Sequence, residues 1–236
     1  MQIFPNIYLM SGFAYQRHQN FYGIDIPKEN RLVLVDCGLD ENDLAVMESV
    51  KKAWNLKDRK ISDVFVTHAH FDHSGNAYWF EQRGSRISAG EDGKSLLSGD
   101  EHTIDFAYQR AFPICRNVKI LKDQETIVLA PGYTMKCHFS PGHTRGSVCY
   151  ELLYGDKHIW FTGDMVQTGE EIGQVRIGIK VDSGYDYEQY RESMKKMKNE
   201  VCDAVLPGHY EPYLCSGSGL IQIAYRELLA NRDKYR

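Results

Sequence analysis

Apolar and polar positions along the chain fall into short blocks whose period changes from one stretch to the next. "NIYLM" and "RLVLVD" read as strands bounded by turn residues, the second ending at Cys37 and Gly38. From about 42 to 54 the period lengthens to that of a helix. Leu44, Met47 and Val50 share one face there, and Lys51 and Lys52 occupy the last turn, where cations favour the helix dipole. "SDVFVT" is a continuous apolar run of the kind buried on both faces of a sheet, and a helix is expected after it from about 74 to 82. Another helix is expected between 98 and 110, stopped by Pro113. From Val118 onward come closely spaced strands, "VKIL", "TIVL", "YTMKCHF", "SVCYELL" and "KHIWFT", with Asp123, Pro131-Gly132 and Gly155-Asp156 at the turns. Helices return at about 187–198 and 220–231, on either side of the strand "DAVLP", and "SGSG" at 216–219 reads as the turn before the last helix. Helices and strands thus alternate around a central meander, which predicts an α/β protein with helices outside its sheets. No repeat, low-complexity tract or linker interrupts the pattern, so one domain spanning 1–236 is expected.

The densest chemistry follows the buried strand. In "THAHFDHSGN", His68 and His70 stand two apart at a strand end, where both imidazoles project to one side of an extended chain. Asp72 and His73 follow where the chain turns into a helix, and can face a neighbouring point. Those four donors would serve two ions side by side. A catalytic zinc generally takes three protein ligands and keeps one position open, so further ligands are expected elsewhere. Three candidates share one context, a ligand-type residue beside glycine just beyond a strand: His143 in "SPGHTRGS", Asp164 in "WFTGDM" and His209 in "VLPGHY". The glycine lets the backbone turn tightly next to each donor. Asp36, Thr67 and Ser147 are candidates to hydrogen-bond the outer nitrogens of ligating imidazoles. His18, His102, His138 and His158 lack ligand-like surroundings and read as structural or solvated; His138 alternates with Lys136, as on an ordinary sheet face.

The run His68-Ala69-His70-Phe71-Asp72-His73 resembles the HxHxDH signature of the metallo-β-lactamase superfamily, and the later donors stand in that family's order, from "LVDCG" to "LPGHY". The resemblance implies the four-layer αβ/βα sandwich, the metallo-β-lactamase fold. It implies that His68, His70 and His143 hold one metal, that Asp72, His73 and His209 hold the other, and that Asp164 bridges them. Two divalent ions about 3.5 to 4 Å apart lower the pKa of a shared water, so a metal-bridging hydroxide is the expected nucleophile. Asp72 is the expected catalytic residue, orienting that nucleophile and carrying a proton to the leaving group. Imidazole and carboxylate donors suit zinc, with iron or manganese also accepted. In this superfamily the loop corresponding to 11–23 leans over the metals, so Phe13, Tyr15 and Tyr22 are candidates to line the substrate pocket, together with Tyr185 and Tyr210.

Among the branches, "SPGHTRGSVCY" and "FTGDM" look most like glyoxalase II and its relatives, which hydrolyse thioesters, although those enzymes append a glutathione-binding helical segment beyond the last ligand. Asp164 argues against a β-lactamase, which has Cys or Ser near that position, and Gln167 stands where lactonases often carry tyrosine. Flavodiiron enzymes replace the second histidine of the cluster by Glu. The expected activity is hydrolysis of a small ester, thioester or lactone. The alternatives are a persulfide dioxygenase with one iron, and β-lactamase or phosphodiesterase chemistry on the same site.

Composition narrows the partners. A net charge of −4 and a pI near 6.1 give no basic excess for nucleic acid or an anionic membrane. The six cysteines form no CxxC pair and point to reduced thiols, and the N-terminal "MQIFPNIYLMSG" lacks a charged region followed by a long apolar one. A soluble, cytoplasmic protein with a small-molecule substrate is expected.

Overall fold

An apolar run without polar alternation belongs in the interior of a parallel sheet, and in a computed structural model of the chain the run at Val64 and Val66 lies there, both residues fully buried. The structure describes residues 1–171 and 173–235. They form two units, Met1–Ala89 with Gly93–Ile120, and Gly90–Asp92 with Leu121–Arg236.

The first unit is built on a seven-stranded sheet in chain order: β1 (Gln2–Phe4), β2 (Ile7–Ser11), β3 (Phe21–Ile26), β4 (Arg31–Val35), β5 (Lys60–Val66), β6 (Arg86–Ala89) and β7 (Val118–Ile120). From β1 to β4 neighbours are antiparallel, and from β4 to β7 they are parallel. Parallel neighbours need a crossover, and the helix Glu41–Ala53 supplies it between β4 and β5. Asp40 starts that helix, its side chain accepting from the amides of Asn42 and Asp43, and Met47 and Val50 are buried as their spacing predicts. Strand β3 is not predicted from the pattern because Gly23 and Asp25 break it. The bare Gly23 lets the Met10 side chain pack closely, since a Cβ would stand 2.9 Å from Met10 Sδ.

Two predicted helices are corrected. The helix expected over 74–82 is two short pieces, Phe71–Ser74 and Ala77–Glu81, with Gly75 and Asn76 between them. Asn76 starts the second piece: its carbonyl accepts from the Phe80 amide at 3.1 Å, while its own amide turns away to the Gly38 carbonyl (3.3 Å) and its side chain donates to the carbonyls of Cys37 (2.9 Å) and Asp40 (3.0 Å). The helix expected over 98–110 is broken up: a helix Gly93–Ser98 precedes it, and within it stand the 3-10 turn Glu101–Thr103 and the four-residue helix Asp105–Tyr108. Gly99 takes a left-handed φ of 64°, and Asp100 restarts the chain as a 3-10 turn by accepting from the His102 amide at 3.1 Å.

The second unit carries β8 (Thr126–Ala130), β9 (Tyr133–Phe139), β10 (Val148–Tyr154), β11 (Lys157–Gly163), the small pair β12 (Gln167–Thr168) and β13 (Val175–Arg176), and β14 (Ala204–Pro207). The meander β8 to β11 is antiparallel, and β14 adds to β11 in parallel. Trp160, Tyr190, Ile221, Ala224 and Leu228 form its core with the helices Tyr187–Met197 and Gly217–Ala230. Full burial of one such large apolar side chain contributes on the order of 1.5–3 kcal/mol. The "SGSG" stretch is not only a turn; it runs into the first turn of the last helix, where the bare Gly217 lets Cys202 Sγ pack closely.

His138 does not sit on an ordinary sheet face. It is buried, and its Nε2 lies 2.7 Å from Glu151 Oε2, while His158 Nδ1 lies 2.6 Å from Glu151 Oε1. Burial acts to raise the Glu151 carboxyl, but the hydrogen bonds and charge of the two histidines outweigh it and hold the group below its usual 4.5. All six cysteines are free, five of them buried. Among the described residues no helix is long and apolar enough to cross a membrane.

Candidate metal centre

In the first unit β5 delivers the chain to Thr67, and the loop 67–70 leads into the helix Phe71–Ser74, which carries Asp72 and His73. Ser74 pins the loop by donating to the carbonyls of Ala69 (2.7 Å) and His70 (2.9 Å). His68, His70 and His73 are all buried. The rings of His68 and His70 are 4.7 Å apart, and those of His68 and His73 are 4.2 Å apart. Donor atoms of His68 approach those of His70 and of His73 within 4.8 Å. His73 Nε2 stands 3.6 Å from Asp72 Oδ2.

The outer face of this cluster is organised by Asp36 at the end of β4. Its Oδ1 accepts from the Thr67 amide at 2.7 Å and its Oδ2 from the Thr67 hydroxyl at 2.9 Å. That hydroxyl, having given its proton to Asp36, can only accept from His68 Nδ1, 3.0 Å away. His73 Nδ1 is 3.1 Å from Asp36 Oδ2 and donates to it. Both imidazoles are therefore held in the tautomer whose Nε2 lone pair is available to a cation. Asp36 reaches these partners from a left-handed backbone, φ 58°, a conformation that Asp and Asn tolerate better than most residues.

In the second unit two of the three glycine-flanked donors follow a glycine in the left-handed region, and Gly208, before His209, is not one of these. Gly142 (φ 146°) precedes His143, and Gly163 (φ 49°) precedes Asp164. Asp164 Oδ2 lies 3.5 Å from His143 Nε2 and 3.4 Å from His209 Nε2. Two donors bound tetrahedrally at zinc distances stand about 3.4 Å apart, so the spacing fits donors that share an ion. Neutral imidazole and carboxylate donors fit a divalent ion of the zinc, iron or manganese type.

The turn around His143 is braced by a contact the sequence did not signal. Thr144 Oγ1 donates to the buried Asp92 Oδ2 at 2.6 Å, and Gly146 leaves room for the Asp92 backbone. Ser147, expected to face an imidazole, instead accepts from the Thr144 amide at 3.1 Å and pairs with its hydroxyl at 2.6 Å. Ser147 thus acts on the loop rather than on a ring, and Asp92 ties the same loop through Thr144.

The aromatic candidates for the substrate pocket have different settings. The strand β3 resumes at Phe21, which shortens the loop to 12–20 and places Tyr22 inside the sheet at 2% exposure. Phe13 is 47% exposed on the 3-10 turn Phe13–Tyr15, and Tyr15 packs against the first unit's core with its hydroxyl at the Met1 amine. Tyr185 donates to the Tyr235 carbonyl at 2.7 Å. Tyr210, at a left-handed φ of 63°, carries the Arg176 guanidinium 5.2 Å from its ring centre.

Comparison with known proteins follows the same lines. A family model described as the metallo-beta-lactamase superfamily matches residues 14–209. An acyl-coenzyme A thioesterase of Bos taurus is 27% identical over 205 residues, 77% of this chain and 70% of that protein. A probable polyketide biosynthesis zinc-dependent hydrolase of Bacillus velezensis is 30% identical over 158 residues, 64% of this chain and 58% of that protein. Among solved structures, a B3 metallo-beta-lactamase with an active-site glutamic acid superposes with a TM-score of 0.77 at 23% identity, covering 98% of this chain and 88% of that one.

Proposed function

Since the chain belongs to the metallo-β-lactamase superfamily and is a metal-dependent hydrolase with that family's α/β fold, we propose that it cleaves a small thioester at a centre of two divalent ions, zinc in the first instance. In this reading the two units work as one domain over 1–236. His68, His70 and His143 hold one ion, Asp72, His73 and His209 hold the other, and Asp164 bridges them. The observation that carries it is the placement of Asp164 Oδ2, 3.5 Å from His143 and 3.4 Å from His209, which suits a carboxylate shared between ions. The thioester is favoured over other acyl groups by the likeness to an acyl-coenzyme A thioesterase.

When bound, such ions polarise a carbonyl and lower the pKa of water, which makes hydrolysis possible near neutral pH. The residues of the chain do the positioning. Asp36 and Thr67 fix the tautomers of His73 and His68. Asp72, with its side chain 14% exposed beside His73, orients the attacking group and carries its proton to the departing thiolate.

The test is metal quantification on protein purified without chelator, followed by thioesters, lactones, phosphodiesters and β-lactams on the same sample. Two zinc ions per chain and fastest turnover of thioesters are expected. One iron per chain with consumption of oxygen would establish the dioxygenase alternative, and inert thioesters beside a reactive lactone or phosphodiester would move the substrate class.

A further inference from the structure

Tyr190 stands on the helix Tyr187–Met197 with its ring fully buried, and its hydroxyl is met from two directions. It accepts from the Gly178 amide at 2.9 Å and donates to the Met165 carbonyl at 2.7 Å, with the Asp164 carbonyl at 3.1 Å. The Gly178 amide also lies 2.8 Å from that Asp164 carbonyl, so hydroxyl, amide and carbonyl close a small ring behind Asp164. At its other end Tyr190 supports His143. The backbone of Tyr190 lies so close to Gly142 that a Cβ there would overlap it, and the Gly142 carbonyl accepts from the Asp186 amide at 2.8 Å, at the start of the same helix. Gly178 completes the arrangement, since a Cβ on it would stand 2.5 Å from His143 Nδ1 and 2.8 Å from the Asp164 carbonyl oxygen.

We infer that Tyr190, with Gly178, is a positioning residue for the ligands His143 and Asp164, setting the separation of their donor atoms; the inference rests on reading those two residues as metal ligands. Shape alone does not require the hydroxyl, because phenylalanine would fill the same space. The carbonyls it meets belong to Asp164 and its neighbour Met165. By contrast Tyr187, one turn earlier, bonds the Leu228 carbonyl at 3.3 Å and so ties helix to helix. Removing a partner that orients a ligand typically weakens metal binding 10- to 100-fold, whereas a purely structural hydrogen bond lowers stability and leaves affinity alone.

Zinc affinity, measured by competition with a chromophoric chelator, distinguishes these roles. Tyr190→Phe is expected to keep its far-UV circular dichroism and to bind zinc at least about 10-fold more weakly, while Tyr187→Phe binds as the unmodified protein does. Wild-type affinity in Tyr190→Phe, or equal weakening in both variants, overturns the inference. Should Tyr190→Phe fail to fold, Gly178→Ala presses a methyl group on both ligands with the hydroxyl in place. Weaker zinc binding there is expected, and unchanged binding overturns the inference. His143→Ala separates the two levels: if it binds zinc normally, the ligand reading fails and takes this inference with it, whereas loss of zinc in His143→Ala beside wild-type affinity in Tyr190→Phe overturns only the role of the tyrosine.

Discussion

Asp36 Oδ2 lies 3.1 Å from His73 Nδ1, and the same carboxylate holds Thr67 behind His68, so one buried acid orients two candidate ligands of the first unit. In Asp36→Asn the amide nitrogen can face the imidazole, which removes the acceptor that fixes its tautomer. Zinc affinity and turnover are expected to fall by about 10- to 100-fold, with the fold intact because Asn tolerates the left-handed backbone. Asp36→Ala combines the same loss with a residue that tolerates the left-handed backbone less well than Asp or Asn. Equilibrium dialysis with steady-state kinetics checks both, and a fully active Asp36→Asn would remove Asp36 from the machinery.

Asp164 and His70 differ in how many ions they would touch. Asp164→Ala is expected to lower the occupancy of both ions and His70→Ala chiefly that of one, with nearly all turnover lost in each. Metal counts per chain by mass spectrometry decide the matter; full metal and a normal rate in either variant would show that residue is no ligand.

Asp43 is the fully buried anchor of the loop 12–20. It accepts from Ser11 Oγ at 2.7 Å, Arg17 Nε at 2.9 Å, the Leu39 amide at 2.9 Å and the Gln19 side chain. Asp43→Ala takes the acceptor from Ser11, Gln19 and the Leu39 amide, while Arg17 keeps Asp40 at 2.8 Å, a change that costs about 1–3 kcal/mol. Urea unfolding should show a midpoint shift of that order, and a shift within experimental error would mean that the loop is held by other contacts.

Glu151 gives a signed pH dependence. Its carboxyl is held below its usual 4.5 when folded, so the stability it contributes is present above that value and is lost as the pH falls through the lower, folded one. The difference in unfolding free energy between the unmodified protein and Glu151→Gln should therefore be present just above about pH 4.5 and shrink on acidification below it. A difference that stays constant down to pH 3 would exclude this linkage.

Much of the candidate centre was legible in the primary structure because a ligating turn has a local grammar. A donor beside a glycine at a strand end identifies itself within a few residues, as in "GHT", "GDM" and "GHY", and an apolar run without alternation announces a buried parallel strand. The contacts that hold the donors were not legible, because they join residues distant in sequence. Asp92 reaches Thr144 across a separation of 52 positions, and Glu151 gathers His138 and His158 from neighbouring strands. Nothing at Tyr190 distinguishes it in sequence from Tyr187, and only the packed helix shows that one hydroxyl meets Asp164 and the other Leu228. The same limit explains the misread helices: the periodicity over 74–82 is helical, but Asn76 is claimed by carbonyls of Cys37 and Asp40, which local propensity does not sense.

The amino-acid order by itself determined which side chains could bind a cation, because donor type and the tight turn beside each donor are properties of a few consecutive residues. The tertiary structure alone decided which nitrogen of His68 and His73 faces inward, which serine braces a loop rather than a ring, and how far Asp164 stands from two histidines. These are distances between segments that the chain brings together only when its cores are buried, and hydrophobic burial, being non-directional, leaves no trace of them in the local sequence.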